Sequence, residues 1–166
     1  MYVLPLLSGG LTLVGAMMVI TCPVAVHAVL YLVVTLLSLA MVLAMLGAQF
    51  AAVLEIIIYA GAIMVLFVFV IMMLNLGQPD REREKEWLRP RAWIGPGLLA
   101  VVACGELLYG LPMLSDPDGA VFPIDARDVG LSLFGTYVLM VELASFLLLA
   151  GLVTAFHIGR TLRERA

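Results

Sequence analysis

Charge is scarce in this sequence: of 166 residues, 13% are Asp, Glu, Lys or Arg and 64% are hydrophobic, where an ordinary soluble domain carries roughly 25% charged residues. A chain with a mean hydropathy of +1.14 has too little polar surface to cover itself, which excludes a free-standing soluble domain. Cysteine is scarcer still. Cys22 and Cys104 fall in separate hydrophobic regions, without Cys-x-x-Cys spacing and without a cluster of histidines nearby. That argues against a disulfide framework, a metal centre or an iron–sulfur cluster held by this chain. No glycine-rich loop of the GxGxxG or Walker type occurs either, and nothing suggests nucleic-acid binding. No lysine or arginine precedes the apolar run Met1–Thr21, so the basic n-region of a cleaved signal peptide is missing and the run is expected to stay as a first helix.

What the sequence has in abundance is long apolar runs. A helix needs about 20 such residues to cross the hydrocarbon core, because each residue rises about 1.5 Å and every backbone group must bond internally. Five stretches qualify, approximately 3–20, 26–46, 50–74, 92–112 and 131–157. The expected fold is an all-α integral membrane protein with five transmembrane helices in one membrane domain, 1–166. Thr21, Cys22 and Pro23 break the first two spans apart, and Gly47–Gln49 the next two; connections this short make antiparallel neighbours. The charged tract GQPDREREKEWLRPR within the 75–91 loop must sit in water. The 113–130 connection, carrying Asp116, Asp118, Asp125 and Asp128, is expected outside the membrane, with room for a short surface helix.

Lysine and arginine placement gives an orientation. Arg81, Arg83, Lys85, Arg89 and Arg91 lie in the third loop, and Arg160, Arg163 and Arg165 in the C-terminal tail, two crossings later. The two tracts therefore share a side, which the positive-inside rule makes the cytoplasm. Arg127 is left as the basic residue of the outer side, the N-terminus falls outside and the C-terminus falls in the cytoplasm.

From Leu54 to Gly77 the chain reads LEIIIYAGAIMVLFVFVIMMLNLG. This run resembles, almost letter for letter, the third transmembrane helix of the J-type membrane-arm subunit of proton-translocating NADH:quinone oxidoreductase, respiratory complex I. HAVLYLVVTLLSLA, from His27 to Ala40, is similar to the start of that family's second helix, although Val24 and Ala25 separate Pro23 from the Val-His-Ala triplet. The resemblance covers about a third of the chain. It implies a core subunit that helps couple NADH oxidation and quinone reduction to proton translocation in a bacterial cytoplasmic (inner) membrane. By the same resemblance this chain is non-redox and has no catalytic activity of its own. It binds no cofactor, while the parent complex uses FMN, iron–sulfur clusters, NADH and a quinone. Its partners would be other membrane-arm subunits, the lipid bilayer and, through the 75–91 loop, the peripheral arm. Quinone type and pumping stoichiometry are not legible in it.

Three carboxylates fall inside the expected spans: Glu55, Glu106 and Glu142. An ionised carboxylate in hydrocarbon is costly, so such groups face the bundle interior, meet water or a partner, or take up a proton. Glu55 and Tyr59, four residues apart, share a helical face and can bracket an ordered water. With Glu142 they are the proton-pathway candidates. Glu106 sits toward the outer end of the fourth span, where snorkelling to water also accounts for it. His27, near the cytoplasmic start of the second span, is able to exchange protons but equally suits a headgroup or loop contact.

Ala60, Gly61 and Ala62 remove bulk beside the Glu55–Tyr59 pair. Such a patch fits close helix packing, and it also lowers the cost of a π-bulge. The resemblance implies the second use, a helix switching between regular and bulged forms. The matching residues are Tyr59, Ala60, Gly61 and Val65, and rotation beyond Gly61 would swing Val65, Leu66 and Phe69 into or out of a water path, gating by dewetting. Gly151, Ala155 and Gly159 repeat every four residues and read as a packing stripe. Two other functions remain open at this point: a related subunit of a multisubunit cation/proton antiporter or membrane hydrogenase, and a purely structural spacer.

Overall fold

The structure is a computed structural model describing residues 3–74, 90–114 and 124–164. The expected charged loop lies outside the described residues except for its last two positions, as does most of the aspartate-bearing connection. The described residues are helical apart from short turns. In chain order the elements are α1 (Val3–Thr21), α2 (Ala25–Met45), α3 (Gln49–Leu54), a π-helix (Glu55–Ile63), α4 (Met64–Leu74), α5 (Pro90–Leu114), α6 (Ala126–Phe134) and α7 (Val138–Glu164). α3, the π-helix and α4 run on as one rod. Five helices are long and apolar enough to cross a membrane: Val3–Thr21, Ala25–Met45, Gln49–Met73, Trp93–Gly110 and Val138–Arg160. At about 1.5 Å per residue even the shortest of these matches most of a 30 Å hydrocarbon layer.

The chain divides into two compact units, Met1–Ile124 and Asp125–Ala166. In the first, α2 is the hub: α1, α5, α3, the π-helix and α4 all pack on it, and α1 also touches α5. Small residues allow this closeness, because without a hydrophobic driving force between helices in lipid, close packing does the work. A Cβ on Gly15 of α1 would run into the Thr35 side chain, one on Gly95 of α5 into the Tyr31 hydroxyl, and one on Gly110 into the methyl ends of Met41 and Met45. The turn from α2 to α3 needs Gly47, whose φ of 85° is the left-handed conformation that side chains disfavour. Its carbonyl accepts the Ile124 N–H at 3.1 Å, which places Ile124 beside the α2–α3 turn.

Hydroxyls on these helices mostly turn back onto their own backbone, as they do where water is lacking. Thr12, Thr21, Thr35 and Thr154 each donate to the carbonyl four residues earlier, and Ser145 to that of Glu142.

In the second unit α6 packs on α7. The sequence suggests a span over 131–157, but the helix stops at Phe134 and restarts at Val138. Gly135 is the reason: its φ of −104° and ψ of −93° are not helical, and a Cβ there would lie 2.6 Å from the Leu131 carbonyl oxygen. Residues 131–134 therefore belong to α6, the short helix for which the 113–130 connection has room, and the long apolar helix extends instead to Glu164.

Candidate functional site

The third span carries the one departure from α-helical bonding among the described helices. Over Glu55–Ile63, EIIIYAGAI, the backbone is a π-helix, and the Met64 N–H that closes it donates to the Tyr59 carbonyl, five residues back. A π-helix widens the backbone ring by one residue and is rarely sustained, and single turns of it are frequent at functional sites. Here it runs for nine residues. Gly61 sits in its second half, where a Cβ would stand 3.2 Å from the Ile56 carbonyl oxygen, again five residues back. That is tighter than a Cβ normally comes to an oxygen, so the missing side chain and the wide backbone fit each other.

Glu55 opens the π-helix half-buried. Tyr59 is 51% exposed, and no hydrogen bond joins the two side chains. Beyond the π-helix, Met64 is anchored at 2% exposure, whereas Val65, Leu66 and Phe69 are 64%, 61% and 60% exposed. Val65, Leu66 and Phe69, suggested as gate residues, are thus exposed, and none of them borders the groove described next. Glu142 stands exposed on α7 in the second unit. Among the described residues, Gly151 and Gly159 meet nothing within 4 Å of a built Cβ. His27 is half-buried near the start of α2.

Glu106 has a partner on α1. It is half-buried on α5, and Ser8 of α1, with no exposed surface, donates its hydroxyl to Glu106 Oε2 at 2.8 Å. Glu106 also borders a groove of about 620 Å³ between α2, the third span and α5, whose walls include Ser38, Gln49, Ile56 and Cys104. The composition of the spans did not single out this pairing. The signal available in the sequence was the one serine in each of the first two helices, Ser8 beside Thr12 and Thr21, and Ser38 beside Thr35. Among the described residues no three His, Cys, Asp or Glu side chains gather to hold a metal ion.

The comparisons with known proteins bear on this arrangement. The family described as NADH-ubiquinone/plastoquinone oxidoreductase chain 6 matches residues 15–158. This chain belongs to that family. The chain-6 match takes in α2 to α5, the whole π-helix and Glu106, and it leaves Ser8 outside. Among curated relatives, NADH-quinone oxidoreductase subunit J of Escherichia coli K12 is 52% identical over 160 residues, covering 96% of this chain and 86% of the relative. Subunit J of Pseudomonas aeruginosa is 53% identical over 156 residues, 92% of this chain and 93% of the relative. Subunit J of Buchnera aphidicola from Schizaphis graminum is 45% identical over 150 residues, 90% and 92% respectively. Likeness on this scale extends the family resemblance from one helix to nearly the whole chain-6 fold.

Proposed function

We propose that this chain is a core membrane subunit of an NADH:quinone oxidoreductase of the complex I type, and that its third span gates proton movement linked to quinone reduction. Membership of the chain-6 family and relatives named NADH-quinone oxidoreductase subunit J support the first half. The observation that carries the second half is the nine-residue π-helix over Glu55–Ile63. An antiporter or hydrogenase subunit finds no support in those relatives' names.

The gating argument is geometric. When a π-segment tightens to α-helical bonding, the helix beyond it turns relative to the helix before it, by about 100° for each residue taken up. Met64, Val65, Leu66 and Phe69 follow directly, so such a turn changes which of them faces a neighbour. In the described form Val65, Leu66 and Phe69 face outward, where a partner subunit would meet them. The water path they open or close then lies between subunits, and Glu55, Tyr59 and Glu142 are its titratable candidates in this chain. A bulky apolar group at such a constriction stops water, and so protons, without titrating itself.

Redox work belongs to the other subunits. This chain's cysteines, Cys22 after α1 and Cys104 within α5, are fewer than the four thiolates that hold an iron–sulfur cluster. The membrane is the bacterial cytoplasmic membrane, with the N-terminus outside, the C-terminus in the cytoplasm and the 75–91 loop toward the peripheral arm. The decisive experiment is a pair of structures of the intact complex, resting and turning over. A third span that stays π-helical and dry in both would remove the gate and leave the family membership standing.

A further inference from the structure

Two serines in the first unit break the habit of their neighbours. The threonines at 12, 21 and 35 return their hydroxyls to the carbonyl four residues back. Ser8 instead reaches across to Glu106 Oε2. Ser38 is 2% exposed, its Oγ has no hydrogen-bond partner, and it lies on the wall of the groove that Glu106 borders. A buried hydroxyl without a partner is costly. An orphaned donor on a residue that borders a carboxyl-bearing groove is a setting in which a buried water can be held, since a water needs two to four polar partners.

The remaining walls decide what the site can bind. Among the described residues bordering the groove there is no Lys, Arg or His, and Cys104 and Glu106 are the titratable ones. α1 brings no titratable group, α2 brings His27 and Tyr31, the third span Glu55 and Tyr59, and α5 Arg91 in its first turn with Cys104 and Tyr109 beside Glu106. The site therefore suits a proton and water rather than an anion. Ala52, Val53 and Ile56 of the third span border the same groove, so it adjoins the beginning of the π-helix.

We propose that this groove is a hydrated proton-holding site in which Glu106 binds and releases the proton, Ser8 positions its carboxyl, and Ser38 holds the water that joins it to the groove. A proton arriving as hydronium forms an O–H bond at the carboxylate oxygen not engaged by Ser8, and the hydronium's broken O–H bond leaves water. The reverse step returns the proton to the same water. The proposal rests on the reading of this chain as a proton-pumping subunit and adds to it a second locus, the groove between α2, the third span and α5, whose walls do not include Val65, Leu66 or Phe69.

The test uses the assembled complex in membrane vesicles, with infrared difference spectra of turnover and the rate of quinone-linked proton pumping. Glu106→Gln is expected to lose one protonated-carboxyl band and to slow pumping about tenfold or more. Ser38→Ala is expected to keep that band and shift it, because the carboxyl loses its water. A Glu106→Gln complex that keeps the full set of carboxyl bands overturns the proposal, and so does a Ser38→Ala complex whose bands do not move. Should Glu106→Gln fail to assemble, Ser38→Ala, which removes a single oxygen, decides alone. Impaired pumping in Gly61→Val beside unaltered Glu106→Gln would remove this site and leave the gate. Normal pumping in Gly61→Val beside an altered Glu106→Gln would do the opposite.

Discussion

A Cβ on Gly61 would stand 3.2 Å from the carbonyl oxygen of Ile56. The two residues are five apart, the separation that defines π-helical bonding, so any side chain at position 61 presses on the acceptor of the wide backbone ring. Overpacking at a site that cannot yield costs about 1–3 kcal/mol. Gly61→Val, with its stiff β-branch, is therefore expected to slow quinone-linked proton pumping by about fivefold to a hundredfold, more than it reduces assembly. Pumping assays on native-gel-verified membranes check this, and wild-type rates in a fully assembled variant would count against the hinge.

Glu55→Gln removes an ionisable group at the first residue of the π-helix while nearly preserving its shape. Coupling is expected to weaken, with fewer protons moved per electron, and Tyr59→Phe is expected to add to the defect if the two share a water. Unchanged stoichiometry and turnover in Glu55→Gln would take this carboxylate out of the pathway.

The glycine contacts on α2 differ in how far they can give. A Cβ on Gly110 would meet the mobile methyl ends of Met41 and Met45, whereas one on Gly15 would meet Thr35 Oγ1, already engaged with the Tyr31 carbonyl at 2.8 Å. Methionine repacks readily; a β-branched threonine held by its own backbone does not. Gly15→Ala is expected to destabilise the first unit by about 1–3 kcal/mol and Gly110→Ala by less. Thermal denaturation of the purified complex would show the order, and equal shifts would contradict it.

Orientation is testable by labelling. In a chain with Cys22 and Cys104 replaced by serine, a cysteine at position 126 is expected to react with an impermeant reagent from outside intact cells. One at position 81 is expected to react only after permeabilisation. The reverse pattern would invert the topology.

The five apolar runs were legible because crossing a bilayer demands length and hydrophobicity, and both are written locally. The boundary at Gly135 was not: LSLFGTYVLM reads as continuous apolar helix, and what stops it is a backbone angle that hydropathy does not encode. The Glu55, Tyr59 and Gly61 constellation was visible in a distinctive run of letters, while the outward exposure of Val65, Leu66 and Phe69 emerged only from packing. The bond between Glu106 and Ser8 was not legible for a related reason. The two residues are 98 positions apart, and no periodicity within α5 points to a hydroxyl on α1.

The bond from Ile124 to Gly47 sets an order on biosynthesis. The turn between α2 and α3 leaves the ribosome long before the segment that binds it, so its carbonyl must wait in water while the third span and α5 are threaded through the bilayer. Contacts this distant in sequence close slowly. A nascent chain cut short of Ile124 would already possess every helix of the first unit, yet lack the clasp that ties its returning end to that turn.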